Sequence, residues 1–143
     1  MDTGSLTPGD FLLDPRLARD TVVLGESSLS RILLARDARW PWIILVPRRV
    51  DVSELHELAP TDCQQLINEI ATVSETLKTE TGCLKINVAT IGNIVRQLHV
   101  HIVARNEADP AWPGPIWGHG TPLSRIDDAL PSFAQTVSER LQT

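Results

Sequence analysis

The sequence predicts an α+β fold: a mainly antiparallel sheet with one long helix and a further helix at the C-terminal end. Three observations predict it. Short apolar stretches at Thr21–Leu24, Ser30–Leu34 and Ile43–Val46 follow one another across brief turns, as in an antiparallel meander. Thr61–Lys78 carries apolar residues at three- and four-residue spacing, the mark of a helix with one buried stripe. Gln97-Leu98-His99-Val100-His101-Ile102-Val103 alternates strictly between polar and apolar, the period of a strand with one face on a core. Strands, helix, strands and a helical tail, in that order, give α+β.

The elements follow along the chain. Residues 1–10 are polar and marked by Gly and Pro, and are expected to form a loose arm. Leu13–Asp20 reads as a short helix, with Asp14 as N-cap and Pro15 at the first helical position. Gly25–Ser28 joins the first two strands, Asp37-Ala38-Arg39 turns the chain into the third, and Pro47 ends it. His56 falls in a surface helix over 53–58. In the long helix Thr61 and Gln64 stand at capping-box spacing. Cys63, Leu66, Ile67, Ile70, Val73 and Leu77 form its stripe, and Gly82 is its stop. Leu84–Ala89 alternates, with Leu84, Ile86 and Val88 inward and Asn87 on the other face. Beyond Arg105, Asp109–Gly118 holds three prolines and two tryptophans and reads as an ordered, irregular loop. It is expected to pack on the body or at a dimer interface, the alternative being that it lines a pocket with His119. Ser124–Leu141 returns to helical character, with Pro131 as a kink or boundary.

A length of 143 residues suits one domain over 1–143, its core at about 20–105 and a loop-and-helix tail at 106–143. The chain is 42% hydrophobic and 22% charged, as in an ordinary soluble protein. No apolar run approaches the ~20 residues that cross a bilayer. Met1–Asp10 has no positive charge followed by an apolar stretch, so no signal peptide is expected. Cys63 and Cys83 lie far apart and outside any metal spacing, which suits reduced thiols in a cytoplasmic protein. A net charge of −5 with no basic block argues against a nucleic-acid polymer as partner. A small phosphate ester stays open, because a site can be locally positive inside an acidic protein.

Two of the four histidines sit on the alternating strand. Leu98, Val100 and Ile102 are expected to face the core, with Gln97, His99 and His101 on the opposite face. A neutral imidazole attacks phosphorus through Nε2 when an acceptor holds Nδ1–H, and a second imidazole beside it can bind the phosphoryl oxygen or assist the leaving group. The turn Gly92–Val95 offers backbone N–H groups to an anion, Gly92 allowing close approach. Arg105 shares the parity of His99 and can add positive charge. His-x-His on a strand also suits a metal, yet that needs further ligands, and only His56, His119 and scattered carboxylates remain.

Residues Gly92–Arg105 resemble the signature of the histidine triad family of nucleotide hydrolases and transferases: His, apolar, His, apolar, His and two apolar residues. His99 and His101 fit the second and third triad positions, Gln97 stands at the first, and Ala104 replaces the usual proline. Trp42–Pro47 resembles the family's strand ending in proline, and Ile86-Asn87-Val88 its asparagine-bearing strand. The resemblance implies a HIT-like fold and a homodimer whose sheets join across a two-fold axis. It implies a hydrolase or nucleotidyl transferase acting on an α-phosphate ester or phosphoramidate, of the nucleoside phosphoramidate or dinucleotide class, without a cofactor. His99 matches the nucleophile and His101 the residue that contacts phosphate and leaving group. Gln97 would support both through hydrogen bonds without titrating. Asn87, Gly92, Asn93 and Arg105 are the expected substrate contacts. Asp37 resembles the ribose-binding position, although a turn residue explains it as well. Trp42 stands where many relatives have histidine, and its ring can pack or stack in a nucleoside pocket. The alternatives are a nucleotide-binding or sensing protein with little turnover, and a metalloprotein.

Overall fold

The computed structural model describes residues 11–125 and 129–142, so the arm at 1–10 lies outside the described residues. The elements run α1 (Pro15–Asp20), β1 (Thr21–Glu26), β2 (Ser30–Ala35), β3 (Trp42–Pro47), a 3-10 turn at Leu55–Glu57, α2 (Pro60–Thr81), β4 (Lys85–Ala89), β5 (Val100–Arg105) and α3 (Ser132–Leu141). The strands form one sheet in the order β1-β2-β3-β5-β4, and every neighbouring pair is antiparallel. The expected meander is β1-β2-β3. The crossover through α2 then places β5 in the interior of the sheet, against β3.

Strand parity sorts the side chains between two faces. Ile32, Leu34, Ile43, Leu45, Val100 and Ile102 meet Leu66, Val73 and Leu77 of α2 and Ala134, Val137 and Leu141 of α3. The opposite face is covered too. Leu33, Ala35, Ile44 and Val46 pack on Phe11 and Leu17 from the N-terminal segment. Further along that face Val103 packs on Trp40 and Ile116. Segments from both ends of the described chain therefore close over the histidine face, which the alternation alone had presented as open.

Asp14 caps α1 by accepting from the Arg16 amide, with Pro15 at the start. Gly82 ends α2 at φ 66°, its amide reaching the Lys78 carbonyl, in the left-handed region that only glycine enters freely. Other details depart from expectation. The Thr61–Gln64 capping box does not form, because the helix begins one residue earlier, with Pro60 in its first turn and Ala59 as N-cap. Ile67 is exposed, lying a step around the helix from buried Leu66. Leu84 and Val88 are exposed because they flank or lie on edge strand β4, and only Ile86 there reaches the helices. β5 starts at Val100 and not at Gln97, since the Leu98 amide leaves the ladder to donate to the Val52 carbonyl. Helix α3 starts only after Pro131, and Ser124 makes a β-bridge to Asp37 instead. Among the described residues no helix is long and apolar enough to cross a membrane.

Candidate active site

His101 comes from the second position of β5 and lies opposite Ile44 of β3. His99 precedes the strand by one residue. Both rings are nearly enclosed, at 6% and 7% exposure for His99 and His101, and their centroids are 4.9 Å apart in an edge-on arrangement. Trp42 and Trp117 complete the cage around His101, with ring centroids at 5.6 and 5.3 Å.

Hydrogen bonds assign a tautomer to each ring. His99 Nδ1 is 2.7 Å from the backbone carbonyl of Gln97. A carbonyl only accepts, so Nδ1 carries the proton and Nε2 keeps its lone pair. His101 is the reverse. The Trp42 indole Nε1–H donates to its Nδ1 at 3.1 Å, which leaves the proton of the neutral ring on Nε2. Burial, with the neighbouring His99 ring adding to it, pushes the His101 pKa down to about 3. The adjacent rings thus present a nucleophilic lone pair and an uncharged N–H donor.

This depression has a consequence for stability. In the unfolded chain His101 takes up a proton near its ordinary pKa of 6.5, whereas the folded protein holds it neutral down to about 3. Between those values the unfolded state binds more protons, so stability rises with pH there. Lowering the pH from 7 to 4 is expected to cost about 3 kcal/mol through this group, at 1.36 kcal/mol per unit. Urea denaturation of the wild type and His101→Phe at both pH values checks it. The variant should lose much less stability in acid.

Two cavities adjoin the pair. The larger, about 530 Å³, lies between the two covering segments. Leu17, Arg19 and Asp20 form one side, Trp117, Pro122 and Ser124 another, with His99 and His101 among its lining residues. The smaller, about 290 Å³, is lined by Ser53, Glu54, Thr90, Gly92 and Arg96 among others. Of the residues lining these two cavities, only His99 borders both.

The expected site residues are only partly gathered here. Gly92, at φ 67°, lines the smaller cavity. Asn93 is exposed and lines neither. Asn87 and Arg105 hold each other instead of facing a cavity. Arg105 is 1% exposed, donating from Nη1 to Asn87 Oδ1, from Nε and Nη2 to the Asp109 carboxylate, and from Nη2 to the Gly114 carbonyl. Its alternation parity was read correctly, but the loop after β5 folds back and takes the guanidinium. Gln97 was expected to bond the histidines through its side chain. That carboxamide bonds neither ring: Nε2 donates to the Leu12 carbonyl and Oε1 accepts from the Asp14 amide, both at 2.8 Å.

Asp37 lines the larger cavity, yet its carboxylate is chelated by the Arg39 guanidinium and accepts from the Leu123 amide. Burial works to raise its pKa, and those hydrogen bonds outweigh it, so the pKa lies below the ordinary value. Sequence reasoning missed Leu17 as a wall residue and Trp42 as the hydrogen-bond donor to His101. The β3–β5 register places Trp42 opposite Val103, on the same face as His101 and diagonal to it. Trp117 realises the pocket-lining alternative for its loop, while the His119 ring is exposed and lines neither cavity. Among the described residues no three or more His, Cys, Asp or Glu side chains come together as a metal would require.

The same architecture recurs in solved structures. A histidine triad (HIT) protein from Sinorhizobium meliloti is 45% identical, with a TM-score of 0.86 over 94% of this chain and 100% of that one. A histidine triad protein from Marinobacter aquaeolei is 43% identical, with a TM-score of 0.87 over 92% and 98%. One from Bradyrhizobium japonicum is also 43% identical, with a TM-score of 0.85 over 92% and 97%. No curated protein matches the chain. The model of the HIT domain matches residues 16–108, a span that holds the whole sheet, both site histidines and α2, and with it the chain belongs to the HIT domain family.

Proposed function

We propose that the protein is a nucleotide hydrolase or nucleotidyl transferase acting on an α-phosphate ester or phosphoramidate through a covalent nucleotidyl-His99 intermediate. The observation that carries this reading is the 2.7 Å contact from His99 Nδ1 to the Gln97 carbonyl, which frees the Nε2 lone pair within a partly enclosed site. In the first step that pair forms an N–P bond as the bond from phosphorus to the leaving group breaks, the leaving group taking the bonding electrons. In the second, water or an acceptor hydroxyl attacks phosphorus, gives its proton to solvent and returns the pair to Nε2.

His101 contributes as a neutral donor. With its pKa near 3 it is not an acid at neutral pH, so its Nε2–H stabilises charge on a phosphoryl oxygen without transferring the proton. The 530 Å³ cavity falls within the range of small-molecule sites and supports a nucleoside on that side. Gly92 and Arg96 beside His99 support an anionic group on the other.

A burst equal to one nucleotide per active site, with a mass increase of one nucleotidyl group on rapid quenching into alkali, is the expected result. A steady state with neither burst nor adduct overturns the covalent step. The open edge of β4, with exposed Val88, supports a homodimer, to be checked as twice the 15.8 kDa chain mass by light scattering. The two free cysteines support a cytoplasmic setting.

A further inference from the structure

We infer that Gln97 is a positioning residue: its carboxamide latches the N-terminal segment at residues 12–14 onto the approach to the histidine strand, and so sets the wall of the larger cavity. The inference rests on the reading of that cavity as the nucleotide site. It replaces the role in a histidine relay that the position suggests.

The geometry of the amide carries the argument. Leu12 C=O and Asp14 N–H flank Leu13, and Gln97 meets both at 2.8 Å. A primary amide holds its donor and acceptor side by side, as a neighbouring strand would present them. An imidazole cannot copy this, because its two nitrogens point away from each other. Glutamine at this position therefore suits a main chain that a histidine could satisfy only by half.

What the latch holds matters to the site. The segment carries Phe11 and Leu17 into the cluster on the histidine face. Leu17, Arg19 and Asp20, a few residues beyond the latch, line the 530 Å³ cavity. A second tie reaches the same loop, from Arg16 Nη1 to the Ile94 carbonyl at 3.1 Å. Residue 97 meanwhile uses its own carbonyl to hold His99 Nδ1. One residue thus sets the nucleophile with its backbone and the opposing wall with its side chain.

The test compares the full-length wild type with Gln97→Glu, Gln97→His and Gln97→Met. Its first readout is hydrogen exchange of the Asp14 amide without ligand, and its second is the Kd for adenosine monophosphate with kcat and KM measured separately. In Gln97→Met, which can neither accept from the Asp14 amide nor donate to the Leu12 carbonyl, the Asp14 amide is expected to exchange at least about tenfold faster; Gln97→Glu and Gln97→His, which can keep one of the two bonds, should fall between it and wild type. The Kd and KM should rise about tenfold, with kcat within about threefold of wild type. Arg16→Met, which loosens the same segment without touching residue 97, should move Kd and KM the same way.

Unchanged exchange at Asp14 in Gln97→Met overturns the latch. So does a loss of kcat at constant KM, or a Gln97 effect that Arg16→Met does not share, since either would place the influence of Gln97 at the histidines. If the wild type neither binds the monophosphate nor turns over, the nucleotide reading fails, and the exchange data still decide whether Gln97 holds the segment.

Discussion

Replacing His99 by alanine is expected to lower turnover by about 10⁴-fold or more while leaving the fold intact, because it removes the atom proposed to attack and not a supporting contact. The ring is enclosed and, among the described residues, makes a single hydrogen bond, to the Gln97 carbonyl, so its loss leaves no buried charge behind. The stability cost should stay within about 2 to 3 kcal/mol, as for other truncations of buried side chains. Nucleotide affinity should change far less than turnover, since the larger cavity keeps its remaining walls. Measuring kcat by burst and steady-state kinetics, with monophosphate binding alongside, separates these effects. Turnover within tenfold of wild type would exclude His99 as the nucleophile. Imidazole added to a His99→Gly variant should restore part of the lost rate.

Arg105→Met should have the largest effect on stability, about 3 to 5 kcal/mol, as expected when one partner of a buried ion pair is removed. The Arg105 and Asp109 side chains are 2% and 9% exposed and meet at 2.7 Å. Burial acts to raise the Asp109 pKa, and hydrogen bonds from Arg105 and from the amides of Asn106 and Ala111 overcome it, holding the carboxyl far below its usual range. The pair therefore stabilises the fold above the ordinary carboxylate pKa, and its contribution fades as acid protonates Asp109. The expected fall in Tm is about 10 to 15 °C at pH 7, and the gap from wild type should narrow in acid. Calorimetry at neutral and acid pH checks both. Under conditions where the variant is folded, the substrate KM should match wild type, because Arg105 faces the 106–114 loop and not a cavity. A raised KM in fully folded protein would return Arg105 to the substrate contacts expected from its strand parity.

These two residues show where a sequence is legible. Alternation placed His99 and His101 side by side on one face, and a local period suffices for that. The helix stripe and the glycine stop at residue 82 are local in the same way. Arg105 and Gln97 have the same parity and were read as site groups by the same logic. Their partners, Asp109 with Gly114 and Leu12 with Asp14, are set by how loops at the two ends of the chain fold back, and no local period encodes that. Trp42 was noted as a pocket ring, but its role as a donor was out of reach for another reason. Its bond to His101 spans 59 positions and exists only because β5 slots beside β3. Polar side chains at this end of the sheet are read as available for chemistry, whereas in this protein those of Arg105 and Gln97 are taken up by backbone and carboxylate partners.

The two coverings of the histidine face have an evolutionary consequence. The paired rings belong to the middle of the chain, while much of the lining of the larger cavity is borrowed from its outlying portions. The Trp117 side of the cavity even falls beyond the stretch shared with the family at large. Under the function proposed above, selectivity can therefore diverge by rewriting the flanks, with the histidine pair left undisturbed.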